Sequence, residues 1–96
     1  MDIILEGSKM KTEQDFHNQI SKLLDFGEYY GNNLNALWDR LSTDVERPIF
    51  IIWKDHLCAK KMLEPYVFNR IINIFEKTKN QDIDFKWKDK FDYFLD

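Results

Sequence analysis

Apolar and polar positions follow two rhythms along this chain, and the points where one gives way to the other mark out its elements. Ile3, Ile4 and Leu5 form a short apolar run closed by Gly7, which predicts a largely buried first strand. Phe16, Ile20, Leu23 and Leu24 then recur at offsets of four, seven and eight, the stripe of an amphipathic helix. Thr12 stands three residues before Asp15 in a variant of the capping box, and Gly27 is placed to end that helix in the left-handed conformation. Leu34, Leu37 and Leu41, at offsets of three and seven, predict a second helix whose N-cap is Asn33. Asn35 and Asp39, four residues apart, share another face of it, with Trp38 at the boundary between the two faces.

Pro48 precedes Ile49 to Trp53, five apolar residues without alternation, the pattern of a central strand covered on both faces of a parallel sheet. Asp55 is the expected cap of a short helix containing Leu57, Cys58, Met62 and Leu63. Pro65 opens a longer helix, in which Phe68, Ile71, Ile72 and Phe75 repeat at helical spacing. Asn80, Gln81 and Asp82 break that pattern, and Ile83, Phe85 and Trp87 alternate with polar residues as an edge strand would. The tail 89–96 stays unassigned. The order strand, two helices, strand, two helices, strand predicts an α/β fold with parallel strands joined by right-handed crossovers, in a chain whose 96 residues suit a single domain, 1–96.

Composition narrows the functional classes. No apolar run approaches the roughly 20 residues of a spanning helix, and the N-terminus lacks the pattern of an export signal. The single cysteine, Cys58, excludes an internal disulfide and a Cys-rich metal motif, so a cytoplasmic protein is expected, and its apolar surroundings place it in the core. His17 and His56 have no partners at metal-ligand spacing, and no phosphate loop or nucleophile elbow is present, so neither an enzyme, a metal site nor a cofactor is expected. The net charge is −3, and it is concentrated: from Asp25 to Arg47 five acids (Asp25, Glu28, Asp39, Asp44, Glu46) face two bases (Arg40, Arg47), while the remainder balances. Such a segment repels phosphate backbones and attracts basic surfaces, which favours a cationic protein partner over nucleic acid or membrane. The competing reading is a solvated charged loop, with Trp38 in the core and Asp39 an ordinary surface residue.

The ordered series Tyr29-Tyr30-Gly31, Asn33-Leu34 and Ala36-Leu37-Trp38-Asp39 resembles the signature of the barstar family of intracellular inhibitors of barnase-type ribonucleases. The resemblance implies a barstar-like fold, a small three-stranded parallel sheet in the order 1-2-3 packed with about four helices, over roughly residues 1–88. It implies that the loop and second helix plug a ribonuclease active site, as a 1:1 complex formed by an otherwise monomeric protein inside the producing cell. The key acid is then Asp39, with Tyr29, Gly31, Asn33 and Trp38 as contact residues. It also implies a cis peptide bond before Pro48.

Departures from the family pattern accompany the matches. A second acid one turn before the key aspartate is here Asn35. Asp44 replaces an aromatic after the second helix, flanked by Val45 and Glu46, and completes the expected partner-binding set. An acid two residues beyond Phe75 is here Lys77, with Glu76 adjacent. Charge has been redistributed over the expected contact face, which leaves open an immunity protein for a different nuclease toxin.

Overall fold

The computed structural model describes all residues, 1–96. Strand β1 (Asp2–Glu6) runs through a single 3-10 turn, Gly7–Lys9, towards helix α1 (Glu13–Leu23). Helix α2 (Leu34–Asp39) continues without a break into a π-helical turn, Arg40–Asp44, and the chain then enters strand β2 (Ile49–Lys54) across a cis Arg47–Pro48 bond. Helices α3 (His56–Met62) and α4 (Pro65–Asp84) lead to strand β3 (Phe91–Leu95). The sheet is parallel throughout in the order β1-β2-β3, with Ile4 opposite Ile52 and Ile52 opposite Phe94. This is the expected α/β architecture of three parallel strands and four helices.

Alternation along the strands decides where the core lies. Ile3, Leu5, Ile49, Ile51, Trp53 and Phe91 point to one face, where residues of all four helices bury them in a cluster of 21. Trp53 sits at its centre against Phe16, Phe68 and Phe75, with ring centroids 5.2–6.0 Å away. Its indole N–H finds no acceptor there, a cost of about 1–3 kcal/mol that the surrounding apolar contacts offset. The expectation that β2 is covered on both faces is corrected. Phe50 and Ile52 are half-buried by neighbouring strands, while Ile4 and Phe94 flank them half exposed, because no helix crosses that face.

The helix ends bring further corrections. Thr12 and Asp15 form the complete capping box of α1, but the left-handed residue that closes this helix is Asp25, whose successor Phe26 donates its amide to the Ser21 carbonyl. Gly27 is left-handed too, two residues later. Asp55 precedes α3 in the left-handed conformation without a side-chain cap, and Cys58 is exposed. The largest difference is at the C-terminus. Residues 83 and 84 belong to α4, not to a strand, and the third strand lies in the tail that periodicity left unassigned.

The buried stripe of α4 continues beyond Phe75 as Thr78 and Asp82, at helical spacing but with polar side chains, and this disguises the last two turns. Thr78 satisfies its hydroxyl on the Ile74 carbonyl (2.7 Å). The fully buried Asp82 takes the Arg47 Nε hydrogen at 2.6 Å, an Nη2 hydrogen at 3.1 Å and the Phe91 amide at 2.7 Å. Arg47 also donates to the carbonyls of Val45 (2.6 Å) and Leu41 (2.8 Å), and its guanidinium carbon stands over Trp87, 5.5 Å from the ring centroid. The helix then closes on Lys86, a left-handed residue with no glycine to announce it.

Burial alone would push the Asp82 carboxyl up, but the hydrogen bonds from Arg47 and the Phe91 amide, with the guanidinium charge, outweigh it and hold the group below the ordinary carboxylate range. A depressed folded value means stabilisation that is complete above the unfolded value of about 3.9 and is lost as pH falls through the folded one. Asp82→Ala should therefore cost about 3–5 kcal/mol in denaturant unfolding at pH 7, since it strands a buried guanidinium. In the same titration, the gap between wild type and Asp82→Asn should narrow as pH drops below about 4.

Candidate functional site

The segment between α1 and α2 is bent by four left-handed residues, Asp25, Gly27, Gly31 and Asn32. Asp and Asn tolerate this conformation because their short side chains bond locally, and glycine adopts it without steric cost. At Gly31, with φ +89°, an added Cβ would meet nothing nearer than 3.5 Å, so within the free fold the backbone conformation, and not crowding, requires the glycine.

Two adjacent tyrosines divide the work of this loop. Tyr30 is buried against Phe26, ring centroids 4.7 Å apart, and its hydroxyl meets His17 Nδ1 at 2.8 Å. His17 is itself buried on α1 and meets Glu13 Oε2 through Nε2 at 2.9 Å. A carboxylate only accepts, so Nε2 carries the hydrogen, and in that tautomer Nδ1 takes the Tyr30 hydroxyl hydrogen. Desolvation, aided by the Glu13 charge and opposed by Arg40, raises the Tyr30 phenol well above its usual value and keeps it a donor. Tyr29, by contrast, is 85% exposed.

Asn33 caps α2: its Oδ1 accepts from the Ala36 amide at 2.8 Å and its Nδ2 donates to the Gly31 carbonyl at 3.2 Å. Leu34, Leu37 and Leu41 face the core as the spacing predicts. Asn35 and Asp39 are exposed on the outer ridge. The Asp39 carboxylate makes no ion pair within 4.0 Å and no hydrogen bond inside the molecule; only its backbone carbonyl is engaged, by the hydroxyls of Ser42 and Thr43. A negative charge in the later turns of a helix opposes the macrodipole, so fold stability does not account for it.

The remaining expected residues lie on two flanks of this ridge. Trp38, half-buried, borders an open groove of about 650 Å³ between α2 and α4, shared with Glu76, Lys77, Gln81, Asp84 and Phe85. Asp44, Val45 and Glu46 border a smaller concavity of about 260 Å³ with Asp25, Phe26 and Arg40. Asp44 pairs weakly with Arg40 (3.7 Å), whose guanidinium stands over Phe26 at 5.6 Å; so exposed a pair stabilises by about 0–1 kcal/mol. Tyr29 borders neither concavity.

Arg40 and Phe85 are among the bordering residues to which sequence reasoning gave no site role. The polar stripe at 73, 77, 80, 81 and 84 is a signal for the groove wall once α4 is known to reach Asp84. No group of three or more His, Cys, Asp or Glu side chains is placed to hold a metal, and no helix is long and apolar enough to cross a membrane.

Comparison with known proteins identifies the family. The family model described as "Barstar (barnase inhibitor)" matches residues 1–94. A Bacillus subtilis (strain 168) protein named "Putative ribonuclease inhibitor YrdF" is 31% identical over 79 residues, 82% of this chain and 86% of that protein. The match extends into β3, past the residue 88 limit expected from the signature.

Asn33→Ala removes the cap that joins loop to helix and should cost about 1 kcal/mol in thermal or denaturant unfolding. Gly31→Ala should also destabilise, because Ala is strained at φ +89°.

Proposed function

Because the chain belongs to the barstar family, we propose that it is a ribonuclease inhibitor that binds a barnase-type enzyme in a 1:1 complex within the producing cell and fills its active site. The observation that carries this reading is Asp39: an exposed, unpaired carboxylate on a helix whose far side is locked into the core. A ribonuclease cleft gathers cationic side chains to hold phosphate, and a carboxylate fixed opposite them accepts charge-assisted hydrogen bonds in the phosphate's place.

Rigidity supports the role as much as charge does. Tyr30, Phe26 and the Asn33 cap hold the loop before a partner arrives, so binding orders little further chain. Tyr29 and Trp38 supply aromatic area next to the acid, the residue types that dominate interface energetics. Asn35 extends the ridge with a neutral hydrogen-bonding group. Asp44, Val45 and Glu46 form an acidic flank that speeds encounter with a basic partner. Gly31 and Asn33 act by shaping the loop.

The purified protein should block RNA cleavage by a barnase-type ribonuclease at equimolar ratio. Asp39→Ala should raise the dissociation constant at least about 30-fold in titration calorimetry, the lower edge of the hot-spot range, whose extreme case is an aspartate of barstar itself. Equal affinity of the two proteins would exclude the mechanism. In a thermal scan Asp39→Ala should be at least as stable as wild type, because the carboxylate has no partner in the free fold and opposes the helix dipole.

A further inference from the structure

Resting on that reading, the geometry points to Lys77 as a specificity-determining residue that disfavours ribonucleases with an entirely cationic cleft rim and favours one carrying a carboxylate at the matching position. The Lys77 ammonium stands 4.2 Å from the centroid of the Trp38 ring, the shortest cation–ring distance in the molecule. No carboxylate lies within 4.0 Å of it. Its groove neighbour Glu76 is instead engaged by the Tyr93 hydroxyl at 2.6 Å, and Asp84 stands a further two turns along α4.

A lysine side chain is usually a mobile, solvated cation that a partner can push aside. Here the aromatic face holds the charge beside the expected contact ridge, because the ring quadrupole attracts an ammonium above it. Trp38 is a neighbour of Asp39 on α2, so a nuclease that seats Asp39 in its cleft must bring its rim over Lys77. A rim arginine or lysine then meets a like charge held in place, and such juxtapositions suppress wrong partners strongly. A rim carboxylate meets an unneutralised ammonium and gains a pair. The same α2 surface therefore presents an attractive charge at its centre and a discriminating one at its α4 edge.

The test measures inhibition constants and association rates against a barnase-type ribonuclease whose cleft rim is cationic throughout, for wild type, Lys77→Arg, Lys77→Met, Lys77→Glu and Asp39→Ala, at low and high salt. Lys77→Glu should bind at least about tenfold tighter than wild type at low salt, Lys77→Met should fall between them, and the gap should shrink as salt rises. Lys77→Arg, which keeps both charge and stacking, should match wild type. Reversing rim cations of the ribonuclease to glutamate one at a time should yield one position that tightens wild type and weakens Lys77→Glu. Lys77→Met and Lys77→Glu within about twofold of wild type, or no such position on the rim, overturns the inference while a weakened Asp39→Ala leaves the inhibitor reading standing. An Asp39→Ala protein as potent as wild type, or no inhibition by any variant, overturns both.

Discussion

Everything between α2 and β3 hangs on the Arg47–Asp82 pair. A carboxylate with no solvent exposure is tolerable only if its charge and lone pairs are met, and here a guanidinium and the Phe91 amide meet them. The same guanidinium also takes up carbonyls of Leu41 and Val45, which the end of the helical segment would otherwise leave unpartnered. One arginine thus joins the π-helical turn, the run into β2, the last turns of α4 and the first residue of β3. The strength of such a pair lies in the penalty for removing either member, so it specifies this arrangement more than it stabilises it against all alternatives.

Upstream, the loop before α2 is held by a different device with the same logic. His17, Tyr30 and Glu13 form a polar chain from the core of α1 outward, so the loop is attached by satisfied hydrogen bonds and not only by hydrophobic contact. With both ends secured, the ridge of Asn35 and Asp39 has little freedom left. The fold carries negative charge at a helix end where the dipole disfavours it, at a position with no intramolecular partner. Local physics opposes this residue inside a segment the structure holds still, which supports the proposed contact role.

Sheet edges are treated sparingly. On the outer side of β1, the Gln19 side-chain amide pairs with both backbone groups of Glu6 at 2.8 and 3.0 Å, imitating a neighbouring strand. On the outer side of β3, Asp82 takes the Phe91 amide and Asp92 Oδ1 takes the Tyr93 amide. Single side chains thereby blunt edges that would otherwise template pairing with other chains.

Much of this was legible in residue order. The stripes of α1 and α2, the Thr12 and Asn33 caps and the apolar runs of β1 and β2 follow from spacing, because each is decided within a few residues, and the order of elements pointed to the parallel topology. The Tyr29-to-Asp39 series pointed to the family, and the match over residues 1–94 agrees. What spacing could not reveal is whatever depends on a partner distant in sequence. Asp82 reads as a helix breaker until Arg47, 35 residues away, neutralises it. Lys86 and Asp25 end helices without glycine, because the surrounding packing over-determines their backbone. Cys58 reads as core until the packing of α3 turns it outward, and which tyrosine is anchored and which displayed depends on where His17 lies. Sequence determined the helices and the first two strands, since periodicity and capping are local properties, and the Tyr29-to-Asp39 resemblance nominated the contact residues. Tertiary structure decided the end of α4, the location of β3 and the seating of Lys77 on Trp38, since burial and charge pairing exist only once separate segments meet.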